Sequence, residues 1–144
     1  MIDSSSSCRH SSDDRGVPND LVSELLRGMR LSGIQYRRIQ AAPPFGIEGF
    51  GTIAGWAHFH FIARGPVYLR SPGGAMHRLE AGDAVLLPRG GPHALLSSPD
   101  QSASRDIASC EAAPLCKAVS AVRNGSPEAC QENGVVIFSG CMEF

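Results

Sequence analysis

The run Gly82-Asp83-Ala84-Val85-Leu86-Leu87-Pro88-Arg89-Gly90-Gly91-Pro92-His93 constrains this chain more than any other stretch of it. A Gly-Asp turn, a buried apolar strand, a loop held by Pro88 and Gly90, and a histidine on the next strand form one mechanical unit. Pro88 cannot extend a central ladder and Gly90 admits positive φ, so the backbone must bend there. The bend aims His93 at one side of a sheet. The chain carries 16 glycines and 10 prolines in 144 residues, about one and a half times the usual share of turn formers. That excludes a helical bundle and points to short strands joined by tight turns.

The rest of the chain agrees. Residues 1–17 hold six serines and almost nothing apolar, and read as a disordered leader that cannot offset its ordering entropy by burial. From Pro18 onward, Leu21, Val22, Leu25, Leu26 and Met29 fall at helical spacing, with Asn19 or Asp20 as cap and Gly33 as stop. Strands are expected at Ile34–Ile39, Phe45–Phe50, Ala57–Arg64, Val67–Arg70, Met76–Leu79, Ala84–Leu87, Ala94–Leu96 and Val135–Phe138. Seven or eight short strands at even spacing indicate a sandwich or barrel. Residues 98–133 read as a cysteine-rich insertion on the rim, mostly loop and turn, with Glu111 to Val122 as a short helix. The expected organisation is therefore a leader over 1–17 and one domain over 18–144.

The net charge of -1 argues against direct binding of nucleic acid, which needs a basic face to neutralise phosphates. No apolar run approaches the ~18–20 residues of a membrane span, and the N-terminus has no secretory pattern. A cytoplasmic protein is expected. In a reducing compartment the five cysteines are free thiols, metal ligands or redox switches. Cys110, Cys116, Cys130 and Cys141 form no CXXC pair; they are candidates for redox chemistry or zinc beside the plainer reading of inert thiols. If the insertion is a redox switch, at least two sulfurs among Cys110, Cys116 and Cys130 come within disulfide range.

His58 and His60 lie two apart on one expected strand, so both point to the same side, with Trp56 and Ile62. With His93 they are candidate ligands for one divalent transition metal (Zn, Fe or Ni) with open positions. The reading preferred over it is a metal-free pocket in which Trp56, His58, His60 and His93 line a ligand cavity and no cofactor is required. His77 reads as a surface hairpin residue. Arg37 and Arg38 point to opposite strand faces and read as solvated.

The Gly82–His93 spacing resembles the second motif of the cupin superfamily, G(X)5PXG(X)2H(X)3N, with Ser97 where the motif has Asn. His58-Phe59-His60 resembles the HXH of the first motif, but Arg64 and Gly65 stand where its Glu should come. The helical stretch from Leu21, the Phe59-His60-Phe61-Ile62 strand, Leu79-Glu80-Ala81-Gly82-Asp83, Leu87-Pro88 and the closing Phe138-Ser139-Gly140 together resemble the N-terminal sensor domain of AraC-type transcription regulators. The resemblance implies an all-β fold with one N-terminal helix, a small jelly-roll-like cupin barrel. It also implies a regulatory module that senses a small molecule, such as a reactive aldehyde or an oxidant, and is not an enzyme. DNA contact would fall to a C-terminal helix-turn-helix domain outside these residues, and a homodimer is in keeping with such a regulator. The competing reading is a stand-alone metal-dependent cupin enzyme, a dioxygenase or isomerase. Fold alone does not choose between them.

Overall fold

The computed structural model describes residues 35–51, 55–116 and 119–143. The leader over 1–17 and the helix from Pro18 to Gly33 lie outside the described residues, as does the side chain of Cys116. Eleven strands run in chain order through the described residues: β1 (Gln35–Ala41), β2 (Gly46–Phe50), β3 (Trp56–Arg64), β4 (Val67–Arg70), β5 (Met76–Leu79), β6 (Ala84–Leu87), β7 (His93–Leu96), β8 (Arg105–Asp106), β9 (Glu111–Cys116), β10 (Val119–Asn124) and β11 (Val135–Glu143). A 3₁₀ turn (Ile107–Ser109) follows β8, and one α-helix, α1 (Pro127–Asn133), precedes β11. The strands form a six-stranded sheet, β6-β3-β11-β1-β10-β9, and a five-stranded sheet, β5-β4-β7-β2-β8. This is the mostly-β, jelly-roll-like architecture that the turn density implied, with more strands than the seven or eight expected.

One apolar cluster draws on both sheets. Ile39, Ile62, Val122 and Ile137 come from the larger sheet, and Ile47, Val67, Leu69 and Leu95 from the smaller. Along β4, buried Val67 and Leu69 alternate with half-buried Tyr68 and Arg70, while every residue of β7 is buried.

Three expectations need correction. Residues 98–133 are not a rim excursion: β10 pairs parallel with β1, and β9 pairs antiparallel with β10. Glu111 to Val122 is not a helix either. Pro114 would break a helix at its middle, whereas β9 is an edge strand, where a proline is tolerated. The helix forms later, at Pro127, where proline suits the first turn and the Ser126 hydroxyl accepts from Ala129 N at 3.1 Å. The third correction is β6, which pairs with β3 alone and lies at the sheet edge, leaving Leu86 42% exposed. Its apolar composition reads as buried only when its position in the sheet is unknown.

Candidate metal centre

Strand β3 delivers two histidines to the interior. His58, His60 and Ile62 are buried, while Phe59 and Phe61 between them are half-buried on the other face. The alternation stops at Ala63. Ile137 of β11 pairs with Ile62, and the next β11 residue, Val136, pairs with Arg64, so Ala63 is the extra residue of a bulge. The bulge turns position 64 outward. Arg64 is exposed and its guanidinium donates to the carbonyl oxygens of Gly134 at 3.2 Å and Gln131 at 3.4 Å, closing the end of α1. The residue that replaces the motif's carboxylate is thus a helix cap and takes no part in the site.

His93 arrives from the opposite sheet. The Gly90 amide donates to Leu87 O at 2.9 Å, and Gly90 holds a φ of +64°. A Cβ on Gly90 would stand 2.4 Å from the carbonyl oxygen of Trp56, so only glycine lets this loop lie against the start of β3. The loop then presents His93, whose Nδ1 lies 2.8 Å from Gly91 O and whose Nε2 lies 2.8 Å from His60 Nε2. His60 Nδ1 in turn lies 2.5 Å from Ser139 Oγ. A carbonyl only accepts, so His93 carries its proton on Nδ1 and offers a lone pair at Nε2. His60 therefore donates from Nε2 and accepts the Ser139 hydroxyl proton at Nδ1. One ring nitrogen of each of His58, His60 and His93 lies within 4.8 Å of those of the other two, the one such cluster among the described residues.

All three imidazoles are held neutral. Burial lowers His58 to about 4, with the charges of His93 and Arg37 adding to the effect. Burial also drives fully enclosed His60 well below the usual histidine range, again helped by His93, His58 and Arg37. His93 is lowered by burial, partly offset by its bond to Gly91. A neutral imidazole is the form that ligates a metal. Three nitrogen donors with no carboxylate suit zinc, iron or nickel and leave coordination positions open. Nitrogens at ~2.0–2.1 Å from one ion stand roughly 3.3 Å apart; His60 and His93, at 2.8 Å, would part slightly, and the three donor atoms already lie within 4.8 Å of one another. The residues present fit such an ion.

The structure adds a ring that the sequence reading did not name. Trp56 is half-buried at the start of β3, and the ring packed on the trio is Phe50, stacked on His93 at 5.3 Å and edge-on to His60 at 5.1 Å. Arg37 stands opposite Ser139 in the β1–β11 ladder, on the histidine face, while Arg38 stands opposite Phe138 on the other. Only His93 reaches an open depression of about 380 Å³, lined by Glu48, Phe50, Arg70, Pro72 and Asp106 among others. Ser97 holds the end of β7 to the residue before β2: its hydroxyl accepts from Phe45 N at 2.9 Å and donates to Phe45 O at 3.2 Å. His77 is exposed, as expected.

Among the described residues, Cys110 and Cys130 are not exposed, reactive thiols. Cys110 and Cys130 are free and buried, each donating weakly to a backbone carbonyl, of Asp106 and Asn124 respectively. Burial pushes both thiols up, away from the reactive thiolate. Cys141, half-buried, stands opposite His58 in the β3–β11 ladder. Sequence reasoning missed Phe50, Ser139 and Arg37 as neighbours of the trio. The period of β11 extended past Phe138 would have put Ser139 on the inner face, but nothing local pairs it with His60.

Two packed β-sheets holding an HXH strand against a third histidine, carried by a glycine–proline loop, define a cupin-type site. The match of the cupin family model over residues 20–144 agrees, and the chain belongs to that family. No curated protein and no solved structure gave a significant match. Among the described residues, no helix is long and apolar enough to cross a membrane.

Proposed function

We propose that this cupin domain is a regulatory sensing module whose receptor is the histidine trio, loaded with a divalent transition metal. The observation that carries the reading is the convergence of three buried, neutral imidazoles with no carboxylate or nucleophile among them. Such a set offers ligands, and none of its members is a carboxylate or a nucleophile of the kind that carries out acid–base or covalent turnover. The resemblance to AraC-type sensor domains supports a transcription regulator as the destination, with DNA contacted by a domain outside these residues. The effector class that suits the site is a small molecule with an oxygen donor, such as an aldehyde, that would enter by the depression His93 lines. The upward push on the Cys110 and Cys130 thiols, away from the reactive thiolate, favours sensing at the histidines over oxidation of these two.

The depression flanked by Glu48, Arg70 and Asp106 keeps a second reading in play, because it gives a substrate room next to His93. On that reading the chain is a metal-dependent cupin enzyme. Metal analysis of the purified chain, followed by thermal melts with zinc, nickel or iron(II), tests the shared premise. Loaded chain that shifts its melting point with small aldehydes and leaves them intact supports sensing. Steady consumption of an aldehyde, or of oxygen in its presence, would establish the enzyme instead.

A further inference from the structure

Ser139 is buried on β11 directly opposite His60, and its hydroxyl is the partner of His60 Nδ1 at 2.5 Å. In the metal-free arrangement the polarity of the chain of bonds is set from its far end. Gly91 O fixes the His93 proton on Nδ1, His93 Nε2 accepts from His60 Nε2, and His60 Nδ1 accepts from Ser139. His60 then carries its proton on the very nitrogen that faces the other histidines.

An ion at the trio needs a lone pair there. His93 is already in the right tautomer; His60 is in the wrong one. We propose that Ser139 is the positioning residue that makes the exchange possible: on metal binding the His60 proton moves from Nε2 to Nδ1, and the Ser139 hydroxyl changes from donor to acceptor. The inference rests on the metal reading above. The ring loses one proton at Nε2 and gains one at Nδ1, so it stays neutral and no net proton is released. A hydroxyl can serve both states because it carries one donor and two acceptor lone pairs. Alanine serves neither, and would leave the Nδ1–H of metal-bound His60 buried without an acceptor. The partner of a ligating histidine is worth about 10–100-fold in metal affinity.

The test uses the whole chain, with cobalt(II) as a visible probe and zinc(II) for competition against a chelator. Ser139→Ala should bind either ion about 10–100-fold more weakly than the unaltered chain, and Ser139→Thr, which keeps the hydroxyl, should recover most of the loss. Nitrogen-15 spectra of the unaltered chain should show His60 protonated at Nε2 without metal and at Nδ1 with zinc, which decides the matter even if Ser139→Ala fails to fold. Affinity in Ser139→Ala equal to that of the unaltered chain, or an Nδ1-protonated His60 before metal is added, overturns the proposal while leaving the metal reading intact. An unaltered chain that binds neither ion overturns both.

Discussion

Along the inner face of β3, His58 and His60 occupy one end and Ile62 the other, and their neighbours on β11 follow suit. Cys141 and Ser139 stand opposite the two histidines, and Ile137 stands opposite Ile62. The next strand continues the contrast, with Arg37 in the row of Ser139 and Ile39 in the row of Ile137. One interior is thus divided into a polar end, where buried groups are bonded in series, and an apolar end that is packed. The two ends obey different energetics. Removing an apolar side chain loses transfer energy and leaves a cavity, whereas removing a member of the polar series strands a buried partner.

The sharpest break in this comparison comes from His93→Ala. Metal binding measured by cobalt absorption should be abolished, since two imidazoles from one strand hold a transition ion poorly. Retention of tight, stoichiometric binding would show that His93 is not a ligand. At the apolar end, Ile137→Ala should cost about 2–5 kcal/mol in urea denaturation. Cobalt affinity per folded molecule should be unchanged, and an equal loss of affinity would show that the two ends are not separable.

Acid probes the polar end alone. In the unfolded chain these histidines titrate near the ordinary 6.5, while in the folded chain His58 is lowered to about 4 and His60 and His93 are lowered too. Above pH 6.5 both states are neutral and the full stability is present. Below it the unfolded chain takes up protons that the folded chain refuses, so stability falls as the pH drops from 6.5 toward 4. The urea midpoint of metal-free chain at pH 7.5 and pH 5 checks this, and a flat profile over that window would contradict the buried neutral trio. The smallest effect is expected from Ser97→Ala. It removes both hydroxyl bonds to Phe45 and should cost about 1 kcal/mol, with cobalt affinity untouched. Weakened binding there would return Ser97 to the site.

Much of the site was legible locally. The two-residue spacing of His58 and His60 puts both on one face of any strand, and Pro88 with Gly90 forces the turn that delivers His93. The role of position 64 was not legible, because the bulge at Ala63 that turns it outward is a property of the β3–β11 pairing. Nor was the strand character of residues 111–124. Small and polar residues there carry weak β preference, and β10 is held by parallel pairing to β1, more than seventy positions earlier in the chain.

By itself, then, the sequence determined the class of fold, most strand positions near the site and the three histidines, since alternation and turn chemistry act over a few residues. Only the tertiary structure decided their partners. Ser139 beneath His60, Phe50 against His93, Arg37 beside Ser139 and Arg64 at the end of α1 all depend on register between distant strands. A register shift of one residue would send each strand's inner set to the other face, and no local preference records which register wins.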